Sequence, residues 1–355
     1  MFDIWYDPTH LINDATHGNQ PASQLGQEYL INDSGYISPV YGAATSGHTG
    51  SSSSATHSST PAPTLVGSSS GLQINLVWDS SVANAPSGFT QAIIDAAQYY
   101  TTLFSNHEVI NIQVGWGEIA GSTLASNALG ESESYGYLTN YSTVTNALVK
   151  DGFSFTAHNE PTTGQFFVTS AEAKSLGLIS GTSSSVDGFI GFSALSGTGY
   201  SWNFNASVSA SNTGTGATQF DLEAVAMHEI SEVMGRIGME GAIVNGKHTY
   251  TPLDLFNFAS PGVLELSGGG GYFSTNNGAT NLGVFNNATA YSGDIADWAS
   301  YSSITQSHTQ GLVSGTADAY DAFLAPGYNG DVSQSDVLAL AALGYQLTPA
   351  GVAAA

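Results

Sequence analysis

One histidine and two glutamates fall within a single short stretch, Ala224-Val-Ala-Met-His-Glu-Ile-Ser-Glu-Val-Met-Gly-Arg236, as His228, Glu229 and Glu232. In a helix, residues four apart share a face, so His228 and Glu232 can grip one metal ion together. Glu229 is turned about 100° from His228, where a carboxylate reaches a metal-bound water instead of the metal. The chemistry this trio points to is metal-assisted hydrolysis. A plainer alternative uses the same residues. Glu232 and Arg236 are also four apart, in the favoured acid-before-base order, so they can form a simple ion pair beside a hydrogen-bonded core histidine.

A helix must carry these groups, and the flanking residues supply one. Asp221 is a suitable N-cap, and Leu222, Ala226, Ile230, Val233 and Ile237 recur at helical spacing. That apolar stripe lies roughly opposite His228 and Glu232, which predicts one face packed on a core and the other turned to a cleft. Gly235 and Gly238 then end the helix, as glycine does just past a helix C-terminus. Upstream, Leu72-Gln-Ile-Asn-Leu-Val-Trp78 reads as a strand, Phe89 to Phe104 as a helix, and Val109 to Trp116 as a second strand. Val186–Phe192 and Tyr200–Phe204 also carry strand signals. Ser333-x-x-Asp336 is a capping-box start for a closing helix that runs toward Tyr345.

The motif His228-Glu-x-x-Glu232 differs by one residue from H-E-x-x-H, and His-Glu-Ile-Ser-Glu-Val-Met-Gly-Arg resembles the active-site helix of zincin metalloproteases. The glycine that follows is similar to the metzincin branch, and the whole string resembles secreted bacterial metalloprotease-like proteins with Glu as second ligand. The resemblance spans roughly residues 72–346. It implies an α+β, metzincin-like catalytic domain: a twisted mixed sheet, an active-site helix and a C-terminal helix, preceded by an extended N-terminal arm. It also implies a substrate rail in an edge strand near residues 186–204. Metzincins place a third His where this chain has Gly238, so another third ligand is required. The resemblance favours Asp254, in Tyr250-Thr-Pro-Leu-Asp-Leu-Phe256, with His248 as the rival.

On that reading Zn2+ is the expected ion, held by His228, Glu232 and Asp254, with Glu229 as general base and a protein or peptide as substrate. Two carboxylates and one imidazole make a hard donor set, so Mn2+ or Ca2+ also fits the donors. Gly293-Asp-Ile-Ala-Asp-Trp298 places two carboxylates three apart before a Trp; a structural turn is the favoured reading, calcium binding the other. The remaining histidines have no partner at ligand spacing.

Composition narrows the partners. Four basic residues (Lys150, Lys174, Arg236, Lys247) face 28 acidic ones, a formal charge of −24. Such a surface repels nucleic acid and anionic membranes. No apolar run is long enough to insert in a bilayer. Cysteine is absent, which removes disulfides and Cys-based metal sites. Low Lys with abundant Gly, Asn, Ser and Thr resembles exported bacterial surface proteins, so a secreted or cell-surface home without a cleaved signal peptide is expected.

The expected divisions are an N-terminal arm at 1–43, a Ser/Thr/Gly/Pro-rich linker at 44–71, the metalloprotease-like domain at 72–346 and a tail at 347–355. A second functional expectation stands beside the protease: a non-catalytic surface or filament subunit on a zincin scaffold, self-associating through residues 1–43.

Overall fold

Strict alternation of buried and half-buried residues along Gln73–Trp78 buries Ile74, Leu76 and Trp78 on one face, as a half-covered strand requires. The computed structural model describes residues 28–32, 37–39, 60–126, 128–204, 215–287, 293–299 and 317–355. Within them the chain is α+β with a mixed sheet. The strands of that sheet are β1 (Glu28–Asn32), β2 (Ile37–Pro39), β3 (Thr64–Gly67), β4 (Gln73–Trp78), β5 (Val109–Trp116), β6 (Gly130–Asn140), β7 (Gln165–Thr169) and β8 (Gly188–Phe192). A separate short pair, β9 (Ser201–Asn203) and β10 (Gln219–Asp221), leads into the motif helix. Two more strands, β11 (Ile243–Val244) and β12 (Lys247–Tyr250), follow that helix and extend the main sheet beside β7.

The pairing register fixes the layout. β3 lies antiparallel on β4, β4 is parallel to β5, and β5 is parallel to β8. β7 pairs with residues 136–140 of β6 and β8 with residues 130–134, both antiparallel. β1 pairs with Glu133–Tyr137 of the same strand. Each strand has two edges, so β7 and β8 lie end to end along one edge of β6 while β1 takes the other. β2 then pairs with β1 and closes the sheet on that side. Three of these strands lie outside the expected 72–346 span: β3 falls in the stretch read as linker, and β1 and β2 in the stretch read as arm.

The helices are α1 (Phe89–Leu103), α2 (Tyr141–Lys150), α3 (Ser170–Ser175) and α4 (Leu222–Val233), followed by α5 (Gln334–Ala342) and α6 (Pro349–Ala354). α1 buries Phe89, Ala92, Ile93, Ala96, Ala97, Tyr100 and Leu103, one stripe at helical spacing. That stripe meets α4, where the Tyr100 hydroxyl donates to the Met227 carbonyl at 2.7 Å. α5 starts with the capping box that Ser333 and Asp336 announce. No helix among the described residues is long and apolar enough to cross a membrane.

Two of the four cations are buried inside this fold, Lys174 and Arg236. Lys174 is held by Asp187, with Nζ 2.5 Å from Oδ2, so it is already engaged beside Glu108, whose buried Oε1 has no hydrogen-bond partner. Burial pushes the Glu108 carboxyl up to about 8, partly offset by Lys174. A pKa raised on folding gives stability that is full below the unfolded value and lost as pH climbs through the folded one. Wild-type stability should therefore fall between about pH 4.5 and pH 8. Glu108→Gln should flatten this slope, and at pH 8.5 it should exceed wild type by roughly 3–5 kcal/mol relative to their difference at pH 4. Urea melts at both pH values test it; parallel curves for the two proteins would refute it.

Candidate metal centre

α4 is capped as its sequence indicates. The Asp221 side chain accepts from the Ala224 N–H at 3.2 Å and, through its other oxygen, from the Gly330 N–H at 3.2 Å. The helix stops in a tight reversal: the Gly235 N–H bonds the Glu232 carbonyl at 2.9 Å and the Arg236 N–H bonds the Ser231 carbonyl at 3.0 Å. Gly235 takes φ +111°, and a Cβ there would press on the Glu172 side chain at 3.0 Å, so glycine is required twice over. This turn brings Arg236 back over the last turn of α4. Arg236 is therefore not a helical neighbour of Glu232 but a residue folded back onto it.

The structure brings His228 and Glu232 together with Asp297. His228 Nε2 lies 3.3 Å from Glu232 Oε1 and 3.2 Å from Asp297 Oδ1, and neither approach has hydrogen-bond alignment. In a tetrahedral zinc site with bonds of about 2.0–2.1 Å, donor atoms stand roughly 3.3 Å apart. The two distances from His228 match such an edge, and the two carboxylate oxygens lie within 4.8 Å of each other. His228 Nδ1 sits 2.8 Å from the Ala319 carbonyl oxygen, which only accepts, so Nδ1 carries the proton. A carbonyl in that position fixes the tautomer that offers Nε2 to a metal. Glu232 is steadied by Ser132 of β6, whose hydroxyl donates to Oε2 at 2.7 Å.

Asp254 is not in this group, which corrects the expected third ligand. Its carboxylate accepts from the Met239 N–H at 3.2 and 3.3 Å, from the Thr251 N–H at 2.7 Å and from the Thr251 hydroxyl at 3.1 Å. Those bonds hold the chain after Arg236 against the turn at Leu253–Phe256. Burial, with Glu240 beside it, keeps the Asp254 carboxyl well above the usual range. His248 is exposed on β12, outside the group. In the sequence Asp297 stands out as one of an acidic pair before Trp298, read as a structural turn or a calcium site. Its position is set by backbone bonds: the Asn286 N–H donates to the Asp297 carbonyl at 2.8 Å, and the Trp298 N–H to the Tyr320 carbonyl at 2.8 Å.

Arg236 completes the cluster. Nη1 lies 2.8 Å from Asp297 Oδ1 and 3.2 Å from the Ala296 carbonyl, and Nη2 lies 3.5 Å from Glu232 Oε1. Nε donates to Ser231 Oγ at 2.7 Å, and the guanidinium stacks 4.2 Å from the Tyr320 ring centroid. Burial works most strongly against a charged His228 ring, but Asp297 and Glu232 together outweigh it and hold the imidazole pKa well above its ordinary value. Burial likewise opposes ionisation of Asp297, but His228 and Arg236 bring its pKa below the usual value. Without metal, His228 and Arg236 thus both act as counter-charges to Asp297. Asp294 stands close by, its pKa pushed well up by burial and then by Asp297 and Glu232.

Glu229 stands apart from the ligand group. Its carboxylate packs at the start of β6, where a Cβ on Gly130 would come 2.5 Å from Oε1. The open cleft expected in front of the ligand face is not seen: every residue of α4 is buried, as are Asp297 and Arg236. Comparison of the chain with protein-family models, with curated proteins and with solved structures gives no match.

Proposed function

We propose that the protein is a metal-dependent endopeptidase whose ion is held by His228, Glu232 and Asp297. The observation that carries this reading is the convergence of one imidazole nitrogen and two carboxylate oxygens within 4.8 Å of one another, both carboxylates at 3.2–3.3 Å from the nitrogen, with the tautomer of His228 set by the Ala319 carbonyl. Bound there, a divalent cation would supply an acidic water and a Lewis acid for the scissile carbonyl. Ser132 and Arg236 hold the two carboxylates in place, and Glu229 is the base that takes and returns the proton. A metzincin-like arrangement of the sheet and helix is part of the same proposal, and the resemblance at His228–Arg236 supports it.

A second reading rests on Arg236. The guanidinium bonds the very oxygen of Asp297 that faces His228, and the cluster is buried throughout. On that reading the four groups form an internal ion-pair lock in a non-catalytic scaffold. Metal analysis separates the two. The enzyme reading expects about one zinc or manganese per chain, lost in Asp297→Asn and kept in Asp254→Asn, together with chelator-sensitive cleavage of a denatured protein. A metal-free wild type whose melting temperature ignores both chelator and added ions would leave only the scaffold.

A further inference from the structure

The hairpin of β1 and β2 is attached to the main sheet through a single strand edge. Residues Glu28, Tyr29, Leu30, Ile31 and Asn32 pair with Tyr137, Gly136, Tyr135, Ser134 and Glu133 of β6, antiparallel and without a register break. The two central side chains are buried on opposite faces of the sheet. Leu30 packs with Ile119, Tyr135 and Phe189, and Ile31 with Phe167, Ile237 and Met239. Each set forms its own small cluster, outside the main core, that the hairpin completes. β2 caps the assembly with a three-residue strand ending at Pro39, which has no N–H to offer a further strand. The β6 edge thus receives a strand, and the hairpin fills it.

Covalent connectivity does not tie this hairpin to its own β6. The next described strand, β3, lies at the opposite edge of the sheet, across β1, β6, the β7–β8 line, β5 and β4. Six strand spacings amount to about 29 Å. Residues 40–63 join β2 to β3, and a chain of that length reaches up to about 80 Å when extended. The same complementary edge exists on every copy of the chain. Docking in a neighbour therefore forms the same ladder and the same two apolar clusters, and only the effective concentration of the tethered strand favours the copy's own edge.

We propose that the outer edge of β6, Glu133–Tyr137, is a strand-docking surface whose partner is β1 of a second copy of this chain, carried with its β2, so that copies associate by exchanging their N-terminal hairpins. Such exchange is head-to-tail when one hairpin passes on and closes into a dimer when two are swapped. This inference stands independently of the metal centre.

The absence of cysteine in the chain makes a clean test. Ile31 and Ser134 face each other in the register, so one full-length chain carries Ile31→Cys and another, distinguishable by size, carries Ser134→Cys. A hairpin seated on another copy's β6 brings the two sulfurs face to face. Mixed at high concentration under mild oxidation, they should give a disulfide-linked heterodimer, and adding Leu30→Asp to the Ile31→Cys chain should abolish it. A chain carrying both cysteines should close internally when dilute, which verifies the register. Internal closure with no heterodimer at any concentration would overturn exchange. A heterodimer that survives Leu30→Asp would overturn strand docking as its cause, and failure of the double variant to close would overturn the pairing itself.

Discussion

Arg236→Met is expected to lower the unfolding free energy of the metal-free protein by about 3–5 kcal/mol, the usual penalty for stripping a buried charge of its partner. Methionine fills much of the same space, so the loss reads charge more than volume. Without the guanidinium, Asp297 and Glu232 keep His228 as their one ion-pair partner among the described residues, in a buried site. The Ser231 hydroxyl and the Ala296 carbonyl also lose their donor. The loss should shrink when zinc or manganese is present, because a bound cation replaces the missing charge. By linkage, the variant then binds that cation more tightly relative to its own metal-free state than wild type does. Denaturant melts of both proteins, in chelator and in excess metal, give the four numbers required. Equal midpoints in chelator would remove Arg236 from its place as the internal counter-ion, and an undiminished loss in metal would count for the ion-pair lock.

Glu229→Gln is expected to cut peptide-bond cleavage by about 10²–10⁴-fold, the range for removing a positioned general base, while leaving metal per chain unchanged. The separation of these two effects follows from the geometry. Glu229 is outside the group formed by His228, Glu232 and Asp297, and it packs instead against Gly130 of β6. Glutamine keeps the shape that this close contact demands. Cleavage assays alongside elemental analysis check it. Unaltered cleavage would move the base elsewhere, and loss of metal together with cleavage would make Glu229 a support of the cluster instead of its base.

Much of the local structure could be read from single stretches of chain. The alternation in Gln73–Trp78, the stripe from Phe89 to Leu103 and the capping box at Ser333 and Asp336 each predict an element that the structure contains. The same reading placed His228 and Glu232 on one turn of α4. It misjudged what surrounds that turn. An apolar stripe on one side implied an open ligand face on the other, yet β6 covers that face with Gly130 and Ser132. Within the stretch expected as an arm, 1–43, β1 pairs with β6 and β2 with β1.

By itself the sequence determined that an imidazole and a carboxylate stand side by side, because helix geometry fixes residues four apart through local bonds alone. Only the tertiary structure decided which acid joins them. Asp254 and Asp297 are both acids well downstream of the motif, and no spacing rule separates them. Backbone bonds from residues 286 and 320 carry Asp297 to His228, while Thr251 and Met239 hold Asp254 away from it. The fold-back of Arg236 was likewise decided by the turn at Gly235. Contacts between distant residues depend on how whole elements pack, and that information is spread over the chain instead of residing in any one stretch of it.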